Sequence, residues 1–211
     1  MTFASSIFLA VATAFSVLNW VAVGRKNSIL EYVSKPASTV AFLFVLATVD
    51  VVHDAPWGWR IAAFVFCLLG DVFLMLPRDA FIPGLASFAV AQMLFTISFA
   101  TGETSDGRMA IGFLIVLPIA GLLARRFIRA IRITGPVELV APVVVYMLVI
   151  AAMTIAAIAE GSPVAIAGAA IFMVSDSLIA ETRFVKARAW HSVGIMVTYH
   201  AALAGLALGI L

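Results

Sequence analysis

The chain has 211 residues, of which 64% are hydrophobic and 11% charged, with a formal net charge of +2. A soluble domain carries about 25% charged residues, so this composition excludes an ordinary water-soluble globule and points to lipid as the solvent. The single cysteine, Cys67, excludes an internal disulfide framework or a multi-cysteine metal knot within one chain.

A membrane helix needs about 20 mostly apolar residues. Taken in order, the chain supplies eight such runs, at 2–23, 36–53, 60–77, 81–100, 109–124, 137–158, 163–180 and 190–211. The expected fold is all-α: one transmembrane domain over 1–211, a polytopic bundle of eight spans. The run 2–23 has no Lys or Arg before Arg25 and is longer than the apolar stretch of a leader, so it reads as a membrane helix.

The connectors are short, and their charges alternate. The first, third, fifth and seventh hold Arg25, Lys26 and Lys35; Arg78; Arg125, Arg126, Arg129 and Arg132; and Arg183, Lys186 and Arg188. Of the 13 basic residues, only Arg60 and Arg108 remain for the other side. The positive-inside rule then predicts a multi-pass protein of the cell (cytoplasmic) membrane, with the odd connectors inside and both termini extracytoplasmic. The same distribution accounts for the basic balance without nucleic acid, and none is expected as a partner. Trp57, Trp59 and Trp190 fall at span ends, where indole rings anchor to the interface.

Most carboxylates sit in or beside connectors, where solvation explains them. Asp71 and Asp176 do not. An aspartate at the centre of a membrane helix costs about 2.5–3.5 kcal/mol on the insertion scale, and ionisable groups at that depth are functional by default. Both spans run toward the basic end, and the two acids differ in depth by only about 3 Å at the helical rise. Each shares a stripe with small residues, Ala63 and Cys67 on one helix and Ala165 and Ala169 on the other, which marks close helix packing. Both should therefore face the bundle interior. The same offset that separates Asp71 from Asp176 also separates Arg78 from Arg183, which raises the expectation of a parallel four-plus-four duplication.

The strings Ser34-Lys35-Pro36, Gly70-Asp71-Val72-Phe73-Leu74-Met75, Phe81-Ile82-Pro83-Gly84-Leu85 and Phe172-Met173-Val174-Ser175-Asp176-Ser177-Leu178-Ile179-Ala180, with Val197-Thr198-Tyr199 near the end, resemble the YhhN-like lysoplasmalogenase family. The resemblance implies an eight-span enzyme hydrolysing the vinyl ether bond of lysoplasmalogens, a lysophospholipid substrate, to a fatty aldehyde and a glycerophospho-base. It implies Asp71 and Asp176 as the acidic pair. The chain departs from the family at Gln92 and Phe95, where His and Tyr are frequent, and at His200 and Leu203, where Tyr and Gln are common.

The chemistry is coherent with two acids. Enol ether hydrolysis needs a carboxyl group that is protonated near neutral pH, and a second group to stabilise the oxocarbenium ion or activate water. Two close carboxyls resist ionising together, and glycosidases meet a similar transition state with paired acids. Either of Asp71 and Asp176 could take either role. Lys35, Arg78 and Arg183 are candidate phosphate partners at the basic edge. Asn19, Tyr146, Ser175, Ser177 and Tyr199 could bond substrate or water, or equally a neighbouring helix. His53 is expected on the outer side and His191 on the inner, with His200 about 13 Å further along its helix than His191, so no shared metal is expected, nor any cofactor. The competing reading is a transporter or lipid-binding protein that uses the same carboxylates without hydrolysis.

Overall fold

The computed structural model describes residues 1–211, the Thr134 side chain aside. Eight α-helices follow in chain order: α1 (Phe3–Gly24), α2 (Ser28–Thr48), α3 (Ala55–Met75), α4 (Phe81–Thr101), α5 (Asp106–Thr134), α6 (Val140–Glu160), α7 (Pro163–Ala180) and α8 (His191–Leu208). A 3-10 turn over Val137–Leu139 leads into α6, and a π-helical turn over Glu181–Val185 extends α7. All eight helices are long and apolar enough to cross a membrane. The protein is an all-helical, multi-pass membrane protein. Its apolar side chains face outward in numbers, Leu114, Val145 and Leu148 among them, as a lipid solvent requires.

The helix starts are legible residue by residue. The side chains of Thr2, Asn27, Asp54, Ser105 and Ser162 accept the backbone N–H of Ser5, Leu30, Trp57, Arg108 and Ala165, satisfying donors that a helix start leaves unpaired. Two helices outrun their apolar segments. α2 begins at Ser28 rather than at 36, because Asn27 caps it and Glu31 suits its first turn; Lys35 therefore lies inside the helix, two turns from its start. α5 continues past 124 to Thr134, since Phe127 and Ile131, one turn apart, are both buried. Charge ends a hydropathy run, but it does not end a helix.

Consecutive helices pack as hairpins: α1 on α2, α3 on α4, α5 on α6 and α7 on α8. Two further kinds of contact join them, α2 on α3 with α6 on α7, and α2 on α8 with α6 on α4. Adding four to each helix number, counting past α8 back to α1, turns the first member of each pair into the second. The match is incomplete: α6 packs on α4 more extensively than α2 on α8, and the contacts of α1 with α8 and of α5 with the π-helical turn lack counterparts of comparable extent. A parallel four-plus-four repeat would have this neighbour pattern, with α3 and α7 in corresponding places.

α7 and α8 touch through backbone. A Cβ placed on Gly168 would lie 2.7 Å from the Leu206 nitrogen, and one on Gly205 would lie 2.7 Å from the Gly168 Cα. Small residues permit this approach in membranes. Gly168→Ala should lower the melting temperature in detergent, with a loss of about 1–3 kcal/mol for the forced separation. A wild-type melting curve would contradict the crossing.

At the end opposite the basic connectors a polar knot joins α3, α4, α5 and α6. Arg60, 1% exposed, donates to Ser98 Oγ at 3.0 Å and to the Glu160 carboxylate, and its guanidinium lies over the Phe99 ring. Arg108 donates to the Ala159 and Glu160 carbonyls at 3.0 and 2.8 Å. Beneath this knot Phe64, Phe95 and Phe99 are fully buried and pack ring to ring.

Candidate active site

Asp71 lies on α3, fully buried. The preceding Gly70 has a packing reason: a Cβ there would stand 2.6 Å from the Phe88 ring, so the glycine lets α4 press against α3 beside the acid. Thr39 Oγ1 donates to Asp71 Oδ2 at 2.6 Å and the Tyr199 hydroxyl donates to the same oxygen at 2.9 Å. Lys35 Nζ lies 3.4 Å from Oδ1. Lys35 and Thr39 are one turn apart on α2 and so share a face.

Asp176 on α7 is held differently. Its Oδ2 receives the Tyr146 hydroxyl at 2.5 Å and Gln92 Nε2 at 3.0 Å, and Gln92 also donates to the Tyr146 oxygen at 2.7 Å. Oδ1 accepts no hydrogen bond among the described residues, and Asp176 joins no ion pair among them. Asp71 is thus bonded from α2 and α8, and Asp176 from α6 and α4, the same helices after the shift of four. The helix contacts of the two acids correspond; their chemistry does not. α2 brings a cation to its aspartate, whereas α6 brings only a phenol.

Both acids line one chamber of about 380 Å³ that opens at the basic end. Lys35, Ser175 and Tyr199 share its walls, and Thr182, Arg183 and Ser192 stand toward its mouth. At the rim Arg183 donates to Asp79 at 2.7 Å and stacks over Phe81, with 4.0 Å from guanidinium carbon to ring centre. The Arg183 hydrogen bond holds the exposed Asp79 carboxyl below its ordinary pKa. Arg78 is exposed next to Asp79 and shares a shallow recess with Asp79 and Arg183.

The structure brings Asp71, Asp176, Lys35, Tyr146, Tyr199 and Ser175 together, and places Arg183 and Arg78 at the rim. Lys35 is 5% exposed, an ion-pair partner inside the bundle rather than a free charge at its surface. Asn19 stands behind the wall, where its side-chain amide donates to Ser34 Oγ at 3.1 Å. Ser175 donates to the Ile195 carbonyl at 3.2 Å, and Ser177 donates to the Met173 carbonyl at 2.7 Å. The three histidines stay apart: His53 stacks on Trp57, His191 pairs with Thr182, and His200 lies between Trp20 and Ser38.

Three supports were not legible as site residues. Thr39 follows Lys35 by one turn, a spacing that could have flagged it. Gln92, a departure from the family's habit, supplies the carboxamide that holds Asp176. His200 Nδ1 accepts the Trp20 indole N–H at 2.9 Å, so the other ring nitrogen carries the proton and donates to Ser38 Oγ at 2.8 Å. Ser38 in turn donates to the Lys35 carbonyl at 2.7 Å, which ties α8 to the turn that carries the lysine.

An eight-helix bundle with two intramembrane carboxylates on one chamber defines a multi-pass membrane protein with a site suited to proton transfer. The model of the YhhN family matches residues 30–210, and the chain belongs to that family. It is 30% identical over 140 residues to the lysoplasmalogenase TMEM86B of Homo sapiens, covering 66% of this chain and 58% of that protein. It is 29% identical over 160 residues to TMEM86B of Sus scrofa, covering 74% of this chain and 66% of that one. The chain thus spans less than two thirds of the length of these mammalian relatives. A lysoplasmalogenase of Mycobacterium tuberculosis is 29% identical over 180 residues, 80% of this chain and 67% of that protein. No solved structure matches the chain.

Proposed function

We propose that the protein is a membrane hydrolase cleaving the vinyl ether bond of lysoplasmalogen-type lysophospholipids, with Asp176 as the general acid and Asp71 as a fixed anion. The observation that carries the division of roles is the unequal company of the two carboxylates. Asp71 has Lys35 and two hydroxyl donors to sustain its negative charge, and in a low-dielectric interior a charge persists where it is paired and bonded. Asp176 has only neutral donors, both on one oxygen, so a proton on Oδ1 is the counter-charge its surroundings allow. The names of the relatives support the substrate class.

The steps then balance. Asp176 Oδ1–H delivers its proton to the alkenyl carbon one bond from the ether-bearing carbon, leaving an oxocarbenium ion. The negative charge fixed at Asp71 favours that cation in a site shielded from water. Water adds to the ether-bearing carbon and gives its proton to the Asp176 carboxylate, the acid-to-base change that paired-carboxylate glycosidases make. The hemiacetal collapses as its hydroxyl proton passes to the leaving glycerol oxygen by way of Asp176. One water is consumed, an aldehyde and a glycerophospho-base leave, and the acid is restored. Lys35, Arg78 and Arg183 suit the mouth to the phosphate, and the distribution of basic residues favours the cytoplasmic face for it.

The test is purified protein in detergent with a lysoplasmalogen and, separately, its saturated alkyl ether analogue. Aldehyde and glycerophospho-base should appear in equal amounts from the first and not from the second. Binding or transbilayer movement of the lipid with no aldehyde would overturn the hydrolase reading in favour of a transporter or lipid-binding protein.

A further inference from the structure

Beside the polar chamber runs a second cavity of a different kind. It is a narrow crevice of about 40 Å³ where α4, α6 and α7 converge, and its walls are apolar except at Asp176, the Tyr146 hydroxyl and Ser177. The Ser177 hydroxyl is spent on the Met173 carbonyl. Asp176 therefore supplies the reactive polar atoms of the crevice, and it also lines the chamber; Asp71 lines the chamber alone. Toward the middle of the membrane the walls are Met147, one residue past Tyr146 on α6, with Ile150 and Met173 about one turn deeper than Tyr146 and Asp176; Phe81, Val143 and Phe184 carry the crevice back toward the basic end.

We propose that this crevice holds the single hydrocarbon chain of the lysolipid. The proposal rests on the hydrolase reading for the ligand's identity, and it adds where the chain lies and which residues select it. The argument is one of order. A lysoplasmalogen runs from alkyl tail through alkenyl carbon, ether oxygen and glycerol to phosphate. The cavities offer the same order, from the inner end of the apolar crevice at Ile150 and Met173 past Asp176 to the chamber with Asp71 and Lys35, and then to Arg183 at the rim. The carbon that receives the proton is on the tail side of the ether oxygen, and Asp176 is the acid on the crevice side. The carbon that carries positive charge is on the head side, where Asp71 lies. Charge partners and cavity position, two separate observations, thus assign the same role to each aspartate.

The crevice is slender, so one chain must enter by displacing its walls. Met147 and Met173 suit that, because unbranched thioether side chains repack at small cost. The stretch of α6 from Val143 to Ile150 spans about 10 Å, enough to grip the part of a long chain nearest the reacting bond.

The experiment compares lysoplasmalogens with hexadecenyl and hexenyl chains, using wild type, Met147→Trp and Met173→Ala, with melting temperatures recorded for all. Met147→Trp narrows the crevice and should lower kcat/KM for the hexadecenyl substrate by about tenfold or more relative to the hexenyl one, the scale of pocket-volume discrimination. Met173→Ala should move that ratio the opposite way. Equal losses on both chain lengths in a folded Met147→Trp protein, or an unchanged ratio in both variants, would overturn the proposal. If Met147→Trp does not fold, Met173→Ala decides. A lysophospholipid carrying a diazirine a few carbons from the ether end of its chain gives a readout that needs no turnover: it should label peptides holding Met147, Ile150 or Met173, and labelling confined to the outer face of α5 would also overturn the proposal. Labelling in the crevice with no aldehyde from wild type would sink the hydrolase reading alone and leave the chain site standing.

Discussion

Asp176→Asn should slow aldehyde release by about 10²–10⁴-fold, the usual contribution of a positioned general acid, with no loss of folding. The asparagine oxygen can still accept the Tyr146 and Gln92 bonds that now end on Oδ2, so packing around α7 is undisturbed. What disappears is the transferable proton. The measurement is single-turnover aldehyde release beside a thermal melt and a binding isotherm with the alkyl ether analogue. Melting and binding should match wild type while turnover collapses. Near-normal turnover would remove Asp176 from the acid role, and with it the mechanism proposed above.

Lys35→Met should do something else: it should unfold the protein more readily. It leaves the Asp71 carboxylate fully buried with two hydroxyl donors and no cation. Stripping one partner from a buried ion pair typically costs about 3–5 kcal/mol. The double variant Lys35→Met with Asp71→Asn removes both charges and should recover most of that stability while remaining inactive. Rescue of folding without rescue of turnover separates the structural part of the pair from its part in catalysis. If the single and double variants melt together, the 3.4 Å contact of Lys35 with Asp71 is not a stabilising pair.

The two aspartates were legible because a charge within an apolar run has no bland explanation, and nothing in the folding of α3 or α7 hides them. Lys35 was legible as a residue but misplaced in depth. Counting hydropathy put it in a connector, whereas its charge is cancelled inside the bundle by a partner on another helix, a fact that no single-helix sum contains. Tyr146 and Tyr199 showed themselves as polar groups in spans, yet only the crossings of α6 with α7 and of α2 with α3 and α8 decide which acid each one serves. Gln92 and His200 show the same limit. Each looked like a missing family residue, and each instead makes two hydrogen bonds that hold a site element in place. The ends of α2 and α5 escaped for a local reason: caps and one-turn apolar pairs extend a helix into charged sequence.

The knot of Arg60, Ser98, Glu160 and Arg108 over the Phe64, Phe95 and Phe99 rings lies at one end of the bundle, and the chamber that holds both aspartates opens at the other. Under the proposed hydrolysis, a lipid would be worked on when its head group stands in the leaflet that this opening faces, and one in the opposite monolayer would first have to be carried across. The two fragments would then part company, the water-soluble piece going to the adjoining aqueous compartment and the oily piece staying within the same monolayer. Cleavage would therefore be one-sided, a sink that drains this lipid from one half of the bilayer.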